Sequence, residues 1–227
     1  MIESLSPSVG WTVVHLFCKA KTSIDAESLE LAKKTMLESG HQVVSVALIG
    51  HKADVCFMLV GPDFAAIRRF QTAIQQAGVE VVDSFLSLTE ISEYAGEHMT
   101  EGMRRARLYP ELFMPENRAW CFYPMSKRRG ETTNWYQLDY ETRKELLYEH
   151  GMSGRNFGDR VLQVVTGSTG VDDFEWAVTL FAKHPNDLKD CVYTMRYDEA
   201  SAKYGEFGTF YTGMVVDLED AVANLVP

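Results

Sequence analysis

Positive charge is in short supply in this chain. Lys and Arg number 22 against 32 Asp and Glu, giving a net charge of −10 over 227 residues. That balance excludes a general binder of nucleic acid or of anionic membrane surfaces. Long apolar runs are also missing: no stretch approaches the ~18 residues that a spanning helix needs. The start, Met1-Ile2-Glu3-Ser4, has neither the basic head nor the apolar run of a signal peptide, so a cytoplasmic location is expected. Only four cysteines occur, Cys18, Cys56, Cys121 and Cys191. None forms a Cys-x-x-Cys pair and each sits among apolar neighbours, which predicts buried free thiols rather than structural zinc. The six histidines show no paired ligand spacing either. What remains is ordinary for a globular protein, with 46% apolar and 24% charged residues. The length fits one large domain or two small, closely packed ones.

Hydrophobic patterning predicts strands at 11–20, 41–49, 54–60 and 79–88, with helices at 23–40 and 64–76. Leu29, Leu31, Ala32, Met36 and Leu37 fall near helical spacing in the first helix, and Gly40 and Gly78 are stop signals. The order β-α-β-β-α-β is the ferredoxin-like arrangement. The second half repeats it, with strands at 118–125, 160–167, 174–182 and 209–216. Its helices are expected at 140–150, stopped by Gly151, and at 185–195. The expected fold is therefore α+β: an N-terminal ferredoxin-like unit within 1–91, a polar connector at 92–117, and a second unit within 118–227 ending in a short tail helix. Two such units can pack sheet to sheet as a dimeric α+β barrel.

Charge is unevenly spread. Across Met103–Arg129, seven cations (Arg104, Arg105, Arg107, Arg118, Lys127, Arg128, Arg129) face two carboxylates (Glu111, Glu116), a local net of +5. Tyr109, Phe113, Trp120, Phe122, Tyr123, Trp135 and Tyr136 lie among or just after them. This is either a solvated basic face or a site for a polyanion, because guanidinium groups fork carboxylates. A flat apolar ligand carrying several carboxylates suits the mixture.

The segments Trp120-Cys-Phe-Tyr-Pro-Met-Ser-Lys-Arg-Arg129, Asn134-Trp-Tyr136, Glu149-His-Gly151, Gln163-Val-Val-Thr-Gly-Ser-Thr-Gly170, Asp172-Asp-Phe-Glu-Trp176, Met195-Arg-Tyr-Asp-Glu-Ala-Ser201 and Tyr204-Gly-Glu-Phe-Gly208 together resemble the coproheme decarboxylase branch of the chlorite dismutase-like superfamily. The strong resemblance covers about 105–213; the first half agrees mainly in its order of elements. It implies dimeric α+β barrel subunits assembled as homopentamers. It also implies oxidative decarboxylation of two propionates of iron coproporphyrin III (coproheme) to vinyl groups with hydrogen peroxide, giving haem b. The iron porphyrin is then both substrate and redox cofactor. A transient contact with coproporphyrin ferrochelatase belongs to the same expectation.

The resemblance carries over residue by residue. His150 matches the proximal iron ligand; without the resemblance it reads as a cap at a helix C-terminus. Tyr123 matches the catalytic tyrosine, whose phenolic hydrogen a radical step at a propionate requires; alone it reads as a packed aromatic. Pro124, with its fixed φ, is expected to help aim a turn. Lys127 matches a lysine that assists near the second propionate, against a solvated head on an apolar stem. Met125 and Ser126 belong to the same cofactor-binding stretch, Met125 and Trp135 as packing rather than redox groups. Arg107 matches a propionate-binding arginine, with Arg104 or Arg105 as alternatives. Ser201 matches a propionate hydroxyl donor, and Arg196 is either a neighbour of the ligand or a structural ion-pair partner. Gln163 stands where chlorite-decomposing relatives carry arginine, which speaks against chlorite chemistry. No histidine immediately precedes Tyr123; the nearest upstream is His98. The rivals are a chlorite dismutase or peroxidase-like haem enzyme, and a non-catalytic haem carrier or sensor.

Overall fold

The computed structural model describes residues 3–21, 23–95, 99–112, 115–223 and 225. Its first strand, β1 (Thr12–Ala20), is built from β-branched and aromatic residues and is buried almost throughout. The chain then runs α1 (Ala26–Glu38), β2 (Gln42–Leu48), β3 (Val55–Gly61), α2 (Phe64–Gln76) and β4 (Val79–Leu88). Asp25 caps α1 by accepting from Ser28 N at 3.1 Å, and Asp63 caps α2 by accepting from Ala65 N at 2.9 Å. Gly78 turns the chain after α2 at φ 97°; any Cβ there would collide with the Ser23 carbonyl oxygen.

The remaining elements are α3 (Glu101–Leu108), β5 (Ala119–Lys127), a 3-10 turn (Trp135–Gln137), α4 (Tyr140–Arg155), β6 (Val161–Gly167), β7 (Trp176–Ala182), α5 (Pro185–Met195), α6 (Glu199–Ala202), β8 (Gly205–Phe207), β9 (Tyr211–Val216) and α7 (Leu218–Ala223). The strands form one antiparallel sheet in the order β7-β6-β4-β1-β3-β2-β9-β5-β8, and β5 also pairs with β7. Within it β4-β1-β3-β2 and β6-β7-β5-β9 have the same ferredoxin-like order, so the repeat expected from the sequence is present. The repeats meet where β2 pairs with β9 and β4 with β6. The β5–β7 pairing then closes the sheet on itself, leaving β8 outside the ring.

Alternation along each strand separates three cores. Leu16, Leu29, Met36, Phe57, Leu59, Phe70 and Ile74 pack the first repeat against α1, α2 and α7. Val13, Phe17, Met58, Phe85, Trp120, Phe122, Phe181 and Tyr211 fill the interior of the ring. Cys121, Tyr123, Val161, Val178, Leu180, Leu188 and Cys191 pack β5, β6 and β7 under α5. All four cysteines are free and buried. No helix among the described residues is long and apolar enough to cross a membrane.

Several sequence-based expectations need correction. Helix α4 does not stop at Gly151 but runs on to Arg155, because a glycine inside a helix costs only about 1 kcal/mol and the following turn continues the hydrogen bonding. The expected polar connector contains α3, capped by Thr100 Oγ1 accepting from Met103 N at 3.2 Å. Leu31 and Leu37 stay exposed on α1, while Leu29, Ala32 and Met36 form its buried stripe.

Candidate functional site

The outer face of the second repeat carries a cleft of 2480 Å³, well above the roughly 300–1,000 Å³ of a typical small-ligand pocket. Its floor comprises Tyr123, Met125 and Lys127 of β5, Gln163 and Val165 of β6, and Trp176 and Val178 of β7. Its other walls come from α3, α4, α5, the 90–95 segment, and Phe207 and Phe210. Eight lining residues are Lys or Arg (Arg107, Lys127, Arg129, Arg143, Lys144, Arg155, Lys189, Arg196) and four are Glu (Glu90, Glu93, Glu141, Glu145). A chain at net −10 thus concentrates positive charge around one cavity.

The period of a strand decides what β5 contributes. Tyr123, Met125 and Lys127 alternate onto the cleft, whereas Pro124 and Ser126 are absent from its lining. Pro124 lies in the body of β5, opposite Ala177, and its carbonyl accepts from Gly208 N at 2.9 Å; it aims no turn. Ser126 Oγ accepts from Glu175 N at 3.1 Å. Of the run 123–127 expected to contact a cofactor, Tyr123, Met125 and Lys127 therefore line the cleft, while Pro124 and Ser126 stand off its lining. The aromatic set splits the same way: Tyr123, Trp135 and Tyr136 line the cleft, and Trp120 and Phe122 enter the ring interior. Phe113 and His98 lie outside the described residues. His150 is the one histidine among the described lining residues.

His150 sits inside α4, with a further turn of helix beyond it, so the helix-end cap reading does not apply. Its Nδ1 lies 3.1 Å from Asp198 Oδ2, and Ser153 Oγ donates to Asp198 Oδ1 at 2.7 Å. A carboxylate only accepts, so this contact places the proton on Nδ1 and leaves the Nε2 lone pair available. Burial, and next the Lys127 charge, push the imidazole below its usual pKa, while Asp198 opposes them. Ser201 Oγ is 3.4 Å from the same Nδ1, so it borders the histidine as well as the cleft. Asp198, within the quoted 195–201 segment, is a partner of His150 to which the sequence alone does not point.

Lys127 is 5% exposed, which rules out the solvated-head reading. Its Nζ donates to the Ala200 carbonyl at 2.6 Å and stands 4.7 Å from the centroid of the Trp135 ring. Its backbone N donates to Glu175 Oε2 at 2.8 Å, and Arg129 forms an ion pair with Glu175 Oε1. Burial draws the Lys127 amine down to about 8, against the opposing pull of Glu175. Tyr123 is 8% exposed and stacks on Phe210 with ring centroids 4.5 Å apart; burial pushes its phenol up. Gln163 Nε2 donates to the Gly154 carbonyl at 3.1 Å, tying the sheet floor to α4. Met103 and Arg107 face the cleft one helical turn apart; Arg104, off the lining, meets Glu101 at 4.0 Å, and Arg105 is likewise off it. Arg196 lines the cleft with its guanidinium 5.9 Å from the Tyr193 ring.

The donor set fits an iron porphyrin. One neutral imidazole, held by a carboxylate partner, faces an apolar cleft rimmed with cations. No group of three or more His, Cys, Asp or Glu among the described residues is placed to hold a bare metal ion, so an iron here would bring its other ligands with it.

The chlorite dismutase family model matches residues 21–216. The chain is 42% identical to the coproheme decarboxylase of Staphylococcus carnosus, over 76% of this chain and 72% of that protein. It is 37% identical to a protein named for heme binding from Natronomonas pharaonis, over 90% of this chain but only 39% of that longer protein's length. In three dimensions it is similar to a heme-binding protein from Thermus thermophilus, with a TM-score of 0.82, 32% identity and coverage of 98% and 97% of the two chains. A mutant chlorite dismutase from Candidatus Nitrospira defluvii shares the fold at 17% identity and a TM-score of 0.76, covering 96% of each chain.

Proposed function

Because the chain belongs to the chlorite dismutase family, we propose that the cleft binds iron coproporphyrin III and that the protein converts two of its propionates to vinyl groups with hydrogen peroxide, yielding haem b. One observation carries this reading: β5 presents a phenol and a buried amine, Tyr123 and Lys127, to the same cleft that His150 lines. A carrier has no use for that pair, and chlorite chemistry has no arginine at Gln163.

His150 Nε2 would hold the iron, with Asp198 keeping the proton on Nδ1. Arg107, Ser201 and the basic rim would receive the carboxylates, and Met125 would pack against the macrocycle. The bound iron porphyrin, with peroxide, supplies the oxidising equivalents. Tyr123, losing its phenolic hydrogen, would take a hydrogen from the propionate β-carbon. Per propionate, R–CH2–CH2–COO⁻, H2O2 and H⁺ become R–CH=CH2, CO2 and two waters. Lys127 would hold the second propionate. A homopentamer in the cytoplasm, meeting coproporphyrin ferrochelatase transiently, completes the proposal.

Mass spectrometry of coproheme incubated with protein and peroxide tests it. The parent is expected to give haem b, Tyr123→Phe to bind coproheme but release no CO2, and Lys127→Ala to stall after one decarboxylation. A parent that binds the porphyrin and leaves all four propionates intact is a carrier, and the proposal fails.

A further inference from the structure

After β5 the backbone doubles back. Gly130 N donates to the Thr133 carbonyl at 2.9 Å, and Trp135 N donates to the Arg128 carbonyl at 2.9 Å. Arg128 N in turn donates to the Tyr204 carbonyl at 2.8 Å. This loop sets the Trp135 ring edge-on to Tyr204, centroids 5.3 Å apart, and buries it to 2% exposure. The ring face is left to Lys127, whose Nζ also reaches the Ala200 carbonyl. An ammonium taken out of water and laid on an indole is attracted by the ring quadrupole, most strongly when desolvated. The charged groups around it are Glu175, ahead of β7, and Arg129, beyond the end of β5, and the neutral, titratable imidazole of His150 on α4 also faces it.

We propose that Trp135 is a positioning residue that acts through Lys127: its ring face keeps the lysine charged and aimed at the cleft. The inference rests on reading Lys127 as a partner of a porphyrin carboxylate. It adds the group that holds the amine ready before any ligand arrives.

Two measurements test it. In the apoprotein, acetylation of Lys127 by acetic anhydride at pH 7 is followed by peptide mass spectrometry. Trp135→Leu removes the π face, so more of the amine is neutral and exposed, and acetylation is expected to rise by about fivefold. Trp135→Phe, which keeps a π face, is expected to rise far less. A Leu variant that acetylates at the parent rate or more slowly overturns the proposal, leaving Trp135 as packing for Tyr204. In the holoenzyme with coproheme and peroxide, Trp135→Leu is expected to slow the second decarboxylation more than the first. The double variant Trp135→Leu/Lys127→Ala is expected to match Lys127→Ala alone; additive losses overturn action through Lys127. If the parent forms no haem b, the decarboxylase reading fails, while the acetylation result still decides the clamp.

Discussion

Lys127 carries an ammonium into a position where 5% of the residue is exposed, and that burial has a sign that can be measured. The unfolded amine titrates near 10.5 and the folded one at about 8. Below pH 8 both states are charged and the folded state bears the desolvation penalty. Between 8 and 10.5 the folded amine is neutral while the unfolded one still holds its proton, so the penalty is relieved as pH rises. Lys127→Met is therefore expected to stabilise the apoprotein at pH 7, by up to roughly 3 kcal/mol, with the gain shrinking towards pH 10. Urea unfolding at the two pH values checks this. Asp198 acts at the same scale. Removing the carboxylate that fixes the His150 tautomer, in Asp198→Ala, is expected to weaken iron-porphyrin binding by about 10–100-fold, read from absorbance titrations.

Among the elements, α4 departs most from its sequence reading. Gly151 faces open space, with nothing within 4 Å of the position a Cβ would take, and it lines the cleft beside His150. Gly151→Ala is expected to raise apoprotein stability by about 0.5–1 kcal/mol, seen as a higher thermal midpoint. The same methyl would occupy ligand space, so porphyrin affinity is expected to fall. The order of strands and the two main helices of each repeat were legible from periodicity, because strand alternation and helical stripes both report a buried face. The end of α4 was not, since Gly151-Met-Ser-Gly154 reads as a stop when its surroundings are unseen. Contiguity hides the geometry of β5: Tyr123-Pro-Met-Ser-Lys127 reads as one run, but a pleated strand gives alternate residues to opposite sides. Asp198 and Glu175 lay within recognised segments, yet their roles depend on His150, Arg129 and Lys127 arriving from elsewhere in the chain.

At the scale of the molecule, the two repeats share one ring of strands and one aromatic interior, and their joints are narrow. At the β2–β9 joint, a Cβ on Gly213 would collide with the Ala47 carbonyl oxygen. Gly213→Ala is expected to destabilise the whole chain by about 1–3 kcal/mol while keeping a single unfolding transition, because neither repeat can lose the shared interior alone; calorimetry would show a split transition if they were independent. The helix layers of the repeats differ more than their sheets. In the first, α1 and α2 bury Leu29, Met36, Phe70 and Ile74 against the strands. In the second, only Gly154 of the 16 residues of α4 is buried. Helix α4 packs only the partly buried Leu146 and Leu147 against Trp135, Ala200 and Tyr204, so its apolar seam is thin and whatever fills the cleft completes it. Amide hydrogens of α4 are accordingly expected to exchange with deuterium faster than those of α1 or α2 in the apoprotein, and to slow sharply when coproheme is added. A guest that supplies the missing layer of a protein's interior is, to that helix, a folding partner as much as a substrate.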